Sequence, residues 1–200
     1  MMILRSSPPS PFGRKVKIAA ALLGIEFKVE PTDTNDPADP IRKQNPVGKI
    51  PTLVLEDGTT LFDSRVILEY LDHLAGGGKI IPREPKARFA ALRMQALADG
   101  LLDAALMRVY EGRWRTPEQH VAKWVEHQTG KMTRTLDVLE AEPPGLDAMP
   151  HVGQITVACA LGYLDLRFGG EWRKSYPKLV AWLDAFAAKV PTFEKTRVAA

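Results

Sequence analysis

Apolar residues fall into two regimes along the chain. In the first 75 positions they switch between alternating and helical spacing. The short apolar start Met2–Arg5 predicts a strand, and the stretch from Ser10 predicts a helix with Val16, Ala19, Ala20 and Leu23 on one face and Gly24 as its stop. Phe27 and Val29 alternate with charged neighbours over Glu26–Glu30, the pattern of a second strand. A loop rich in Asp and Pro spans Pro31–Pro40. Pro51–Leu55 and Thr59–Phe62, joined by Glu56-Asp57-Gly58, predict a hairpin, with Asp-Gly as the turn signal. Asp63-Ser64 opens a further helix in which Val66, Ile67, Tyr70, Leu71 and Leu74 keep the 3–4 spacing.

Gly76-Gly77-Gly78, with Pro82 and Pro85 close behind, marks a boundary between a first domain at 1–76 and a second at 85–200. Beyond it every apolar pattern is helical. Phe89, Leu92, Ala96, Leu102, Ala105, Leu106 and Val109 fit one long helix with a weak point at Asp99-Gly100. Thr116-Pro117-Glu118-Gln119 reads as the capping box of a helix continued by Val121, Trp124, Val125, Met132, Leu136 and Leu139. Ile155–Leu166 is apolar on most sides, as a buried central helix would be, and Leu179, Trp182, Leu183 and Phe186 make a last amphipathic one. The outline is an α/β first domain followed by an all-helical bundle.

Composition narrows the function classes. The longest near-continuous apolar run, Ile18–Ile25, is far shorter than the roughly 20 residues of a spanning helix, so no membrane span is expected. The net charge of +3 and a pI near 9.0 come from basic residues that lie singly or in pairs, such as Arg14-Lys15, Arg42-Lys43 and Arg173-Lys174. That pattern predicts a mildly basic surface and no nucleic-acid partner. The start Met1-Met2-Ile3-Leu4-Arg5 lacks a secretory pattern, and the lone Cys159 allows no internal disulfide, so a cytoplasmic setting is expected. Cys159 sits in the most apolar helix and reads as an inert packed residue. His120 and His127 stand about 10 Å apart on one helix, too far to share an ion, so no metal is expected. There is no Gly-x-Ser-x-Gly elbow for serine-hydrolase chemistry.

Three segments have the residue types of a binding site. Ser10-Pro11-Phe12 sets a helix N-cap and first-turn proline; Ser10 is either a cap alone or a cap whose hydroxyl also faces a ligand at the positive end of the helix. In Asn45-Pro46-Val47-Gly48-Lys49-Ile50-Pro51-Thr52-Leu53, Pro51 begins a strand and is either trans or cis. Asp63-Ser64 is either a plain cap or a carboxylate-binding helix start.

Together these motifs resemble the glutathione S-transferase family from end to end. The likeness rests on Ser10-Pro-Phe, Asn45-Pro-x-Gly-Lys-Ile-Pro-Thr-Leu, Asp63-Ser64-x-x-Ile-x-x-Tyr-Leu, and the ending Tyr176-Pro-x-Leu-x-x-Trp182 with Pro191-x-Phe193. Ser10-Pro-Phe-x-Arg-Lys and Ala96-Leu-Ala-Asp-Gly-x-x-Asp-Ala-Ala-Leu106 are similar to its bacterial YibF-like subgroup. The resemblance implies a thioredoxin-like first domain, an all-helical second domain, and glutathione as co-substrate. It implies a serine-type enzyme in which Ser10 stabilises the glutathione thiolate and Phe12 lines the same site. Ile50 ahead of a cis Pro51 would pair with the cysteinyl unit, Asp63 and Ser64 would hold the γ-glutamyl end, and Lys49 would reach the glycyl end.

The energetics of that role are favourable. Lowering a thiol by two pKa units from about 8.5 costs about 2.7 kcal/mol. A hydrogen bond to a charged group contributes ~1.5–3 kcal/mol and a helix N-terminus ~0.3–1 kcal/mol, so one hydroxyl and one dipole suffice. Serine at position 10 forms no mixed disulfide, which disfavours thiol transfer. The expected activity is conjugation of small apolar electrophiles or reduction of peroxides by a homodimer; the alternative is a non-catalytic glutathione- or protein-binding module of the same fold. Met107, Arg108, Tyr110 and Trp114 on the long helix either line the electrophile pocket or form an aromatic core face with a charged outer one. Two departures from the family stand out. Gln154-Ile-Thr-Val157 lacks the Ser/Thr-x-x-Asp cap of the interdomain helix, and the Asp/Pro-rich loop lacks a lysine, for which Arg42 or Lys43 could substitute.

Overall fold

The computed structural model describes residues 1–198. Four strands form one mixed sheet in the order β2-β1-β3-β4: β1 (Ile3–Ser6), β2 (Lys28–Pro31), β3 (Thr52–Val54) and β4 (Thr60–Leu61). β1 pairs parallel with β2 and antiparallel with β3, and Leu53 and Leu61 set the β3–β4 register. β2 starts two residues later than the alternation predicts, because Lys28, not Glu26, meets Ile3. As an edge strand it buries little, and Val29 is exposed.

α1 (Pro11–Leu23) crosses from β1 to β2 and α3 (Ser64–Leu74) follows the hairpin; the one-turn α2 (Ile41–Gln44) packs near β3 through the buried Ile41. The helix stops are those the residues dictate. Gly24 adopts the left-handed conformation, φ 68°, and its N–H returns to the α1 carbonyls, as a side chain with a Cβ would resist. Gly58, φ 86°, closes the hairpin by donating to the Leu55 carbonyl.

The remaining helices are α4 (Pro85–Trp114), α5 (Ala122–Ala141), α6 (Val152–Phe168), α7 (Pro177–Lys189) and α8 (Pro191–Lys195). α4 runs unbroken through Asp99-Gly100, so the expected weak point does not exist. Asp99 is fully buried and paired with cations, which holds the helix where propensity alone would loosen it. The Thr116 capping box closes only a single 3-10 turn, Pro117–Gln119, and α5 begins separately at Ala122. α6 is buried along most of its length and packs on α1 and α4. No helix among the described residues is long and apolar enough to cross a membrane.

α6 is capped after all, three residues upstream of where the sequence suggested. His151 Nδ1 accepts from the Gly153 N–H at 3.1 Å, and Gln154 Oε1 accepts from the His151 N–H at 2.9 Å. Gln154 is therefore the closing residue of the box and not its cap. The Arg14-Lys15 pair is not surface either: both side chains are buried, Lys15 completely.

Candidate functional site

A cleft of about 650 Å³ opens where the loops of the sheet meet α4 and α6. Ser10 stands on its wall as the N-cap of α1. Its Oγ accepts from the Gly13 N–H at 3.1 Å, and among the described residues its own O–H donates to no acceptor. A hydroxyl accepts through lone pairs and donates through its hydrogen, so the capping bond leaves the donor free at the positive end of the helix. Phe12, also on the wall, lies one turn ahead of Lys15 with its ring 5.7 Å from Nζ.

The Asn45–Pro51 loop is shaped by its own polar groups. Asn45 Oδ1 accepts from the Val47 N–H at 3.0 Å, the Gly48 N–H returns to the Asn45 carbonyl, and Gly48 takes φ 65°. Asn45 Nδ2 and Thr52 Oγ1 both donate to the Lys49 carbonyl, at 3.0 and 3.1 Å. The next peptide unit is left without a partner: Ile50 makes no backbone hydrogen bond among the described residues, and the Ile50–Pro51 bond is cis. Lys49, Ile50 and Pro51 all line the cleft. Phe62–Asp63 is a second cis bond, with no sequence signal for it.

Asp63 caps α3 by accepting from the Arg65 N–H at 2.9 Å. Ser64, the first helical residue, is buried, and its Oγ accepts from Lys15 Nζ at 3.2 Å. Lys15 Nζ lies 2.6 Å from Asp99 Oδ1, and Arg65 Nε lies 2.9 Å from Asp99 Oδ2. α1, α3 and α4 thus meet in one charge cluster at the cleft, buried except for the half-exposed Arg65. Asp99 holds the Arg65 guanidinium above its ordinary pKa. One turn on, burial first and then the Asp99 charge push the Asp103 carboxyl upward, while Arg65 and Lys49 oppose them.

Of the expected site residues, Ser10, Phe12, Lys49, Ile50, Pro51, Asp63, Ser64, Met107 and Tyr110 line this one cleft. Arg108 and Trp114 do not. The face of α4 turned to the cleft presents Asp103, Met107, Tyr110 and Arg113 at the 3–4 spacing. Arg108 is rotated away and lies over the Phe168 ring at 4.7 Å; Trp114 ends the helix in solvent. Neither loop cation reaches the cleft: Arg42 donates to the Thr34 and Asp36 carbonyls at 2.9 and 2.6 Å, and Lys43 is not part of the lining. The sequence reading missed Lys15, Arg65, Asp99, Asp103, Arg113, Tyr163 and Arg167. Continuing the α4 face in steps of four back from Met107 and three beyond Tyr110 would have found Asp103, Asp99 and Arg113.

Comparison with known proteins gives two family matches: "Glutathione S-transferase, N-terminal domain" over residues 4–79 and "Glutathione S-transferase, C-terminal domain" over residues 122–185. The chain is 34% identical over 183 residues to the GST-like protein YibF of Escherichia coli, covering 90% of each. A glutathione S-transferase from Methylobacillus flagellatus, crystallised with glutathione, is 37% identical and superposes with a TM-score of 0.93 over 100% of both chains. A Pseudomonas fluorescens family member with bound S-(propanoic acid)-glutathione is 39% identical, with a TM-score of 0.87 over 100% of both chains.

Proposed function

The chain belongs to the glutathione S-transferase family, and we propose that it is a serine-type glutathione transferase whose thiolate is held at Ser10. The observation that carries this reading is the Ser10 hydroxyl, bound as a cap yet undonated, at the mouth of α1. Glutathione would lie along the cleft floor. Its cysteinyl backbone would pair with the open peptide unit at Ile50, its γ-glutamyl end with Asp63, Ser64 and the first turn of α3, and its glycyl end with Lys49. Phe12 would shield the sulfur's side of the cleft.

Thiolate formation here needs no general base. The Ser10 O–H donates to the sulfur and favours its anion, the α1 dipole adds to it, and the thiol proton leaves to water. The thiolate then attacks a small electrophile resting on Leu106, Met107 and Tyr110, displacing a leaving group with its bonding electron pair or adding across an activated double bond. With a hydroperoxide the S–O bond forms as O–O breaks, the alcohol leaves, and a second glutathione reduces the resulting sulfenic acid to disulfide and water. The division of labour follows the chain: residues 1–76 hold glutathione and 85–200 supply the electrophile side. Such chemistry serves detoxification.

Two further readings accompany it. Val66 on α3 and Phe89 on α4 are exposed on elements tied by the Arg88–Glu69 bond, 2.6 Å, which supports burial of this face in a homodimer. A single, buried cysteine supports a cytoplasmic setting. The deciding experiment pairs glutathione titration with turnover of electrophiles and hydroperoxides by the parent protein and Ser10→Ala. Near-normal glutathione affinity with at least ~10-fold lower turnover in Ser10→Ala supports the transferase. Glutathione binding without turnover in the parent makes the protein a binding module instead.

A further inference from the structure

The outer half of the cleft has charge that thiolate activation does not use. Arg113 lies about 15 Å beyond Asp103 along the α4 axis, and its guanidinium sits over the Tyr110 ring at 5.1 Å. Across the cleft α6 presents Tyr163 and, one turn on, Arg167, whose guanidinium lies 5.7 Å from the Tyr163 ring. Neither arginine takes part in an ion pair among the described residues. The cleft carboxylates are engaged or distant: Asp99 is held by Lys15 and Arg65, Asp63 by the α3 cap and Asp33 by the Asn35 N–H, and Asp103 stands about three turns back from Arg113.

Arg167 adds a sharper observation. Its Nε is screened from solvent and has no hydrogen-bond acceptor in the protein. A buried donor left without a partner is costly, and more so in a charged group. The Tyr163 hydroxyl beside it is kept protonated by burial and remains a donor. Two guanidinium groups, two phenol rings and the Met107 side chain thus surround one space, rich in donors and poor in acceptors.

Building on the transferase reading, we propose that the electrophile is an organic carboxylate: a flat unsaturated or aromatic body against Met107 and Tyr110, with its carboxylate on Arg167 and Arg113. A carboxylate matches the planar guanidinium fork and supplies the acceptor that Arg167 Nε lacks. The apolar body expected of the substrate is retained, and the anion is added at its far end.

The test uses 4-chloro-3-nitrobenzoate and its neutral isostere 4-chloro-3-nitrobenzamide. In both reactions the sulfur–carbon bond forms at the ring carbon bearing chlorine, and chloride departs with the C–Cl electron pair. Catalysed rates are divided by the uncatalysed rate of each compound. The two glutathione conjugates are also titrated directly, so binding is read even where turnover is slow. The carboxylate member is expected to win by about tenfold in kcat/KM and in Kd. Arg167→Gln and Arg113→Gln bring that ratio toward one, while Arg108→Gln, outside the cleft, keeps it. Equal binding of the two conjugates, or an unchanged ratio in Arg167→Gln, overturns the assignment. Failure of glutathione itself to bind would instead overturn the transferase reading, and the titration with glutathione alone separates the two.

Discussion

Lys15 and Asp99, 84 residues apart in sequence, form a fully buried ion pair with Nζ 2.6 Å from Oδ1. Two of the three Lys15 donors are used, on Asp99 and on Ser64 Oγ. Asp99 is further balanced by the half-exposed Arg65. Removing one partner strands a charge, so Lys15→Met should destabilise the protein by about 3 kcal/mol, within the ~3–5 kcal/mol seen for broken buried pairs. Adding Asp99→Leu should recover part of the loss, because Arg65 can turn to water while two apolar side chains pack. Urea midpoints of the single and double variants check this; a loss under roughly 1 kcal/mol in Lys15→Met would remove the pair from the stability argument.

A second buried carboxylate orders the chain between α3 and α4. Asp72 accepts from the N–H groups of Gly78, Lys79 and Ile80 at 2.7, 2.9 and 2.8 Å. Asp72→Ala leaves these donors without a partner, at a cost of about 3 kcal/mol. Hydrogen exchange gives the local readout. The Lys79 and Ile80 amides should be protected in the parent and lose that protection in the variant. Rapid exchange at both amides in the parent would contradict the bonding seen here.

Cys159 is buried in α6, and burial pushes its thiol pKa up to about 11. At pH 8 that leaves about 0.1% thiolate, and the side chain presents no surface to solvent. The native protein should therefore show no fast-reacting thiol, and the denatured chain one per molecule. Fast labelling of the folded protein would place Cys159 at an accessible surface.

How far the sequence reveals this molecule depends on the range of the interaction involved. Ser10, Gly24, Asp63 and Gly58 act on neighbours within a few positions, so caps, stops and the hairpin turn could be read directly. The ladder of cleft residues was legible in part, because the motifs around Ser10, Pro51 and Asp63 resemble a family. Lys15 and Arg14 were misread as surface, since a lysine's burial is decided by an aspartate 84 residues away that no local pattern announces. Arg108 was chosen and Arg113 overlooked for a related reason. Which face of α4 meets the cleft is fixed by packing against α5 and α6, and the weakly amphipathic sequence of α4 does not declare it. The α6 cap was missed because a histidine stands where serine or threonine is the familiar signal.

That histidine makes stability depend on pH. His151 caps α6 only while Nδ1 keeps its lone pair, since it accepts from the Gly153 N–H. Burial lowers its pKa below 6.5, and the Asp147 carboxylate, 3.8 Å away, opposes burial only partly. The folded state therefore binds this proton less readily than the unfolded chain. For a base depressed in this way, the contribution to stability is complete above the unfolded value, about pH 6.5. It declines as pH falls toward the folded value and is constant below it. His151→Ser keeps a capping oxygen but has nothing to titrate, so it should match the parent to within ~1 kcal/mol at pH 8 and lose less stability on acidification to pH 5. Denaturant midpoints of the two proteins across this range isolate the histidine, because every other titrating group is shared. Parallel curves would mean that His151 unfolds and folds with the same proton affinity, and that the cap is indifferent to its charge.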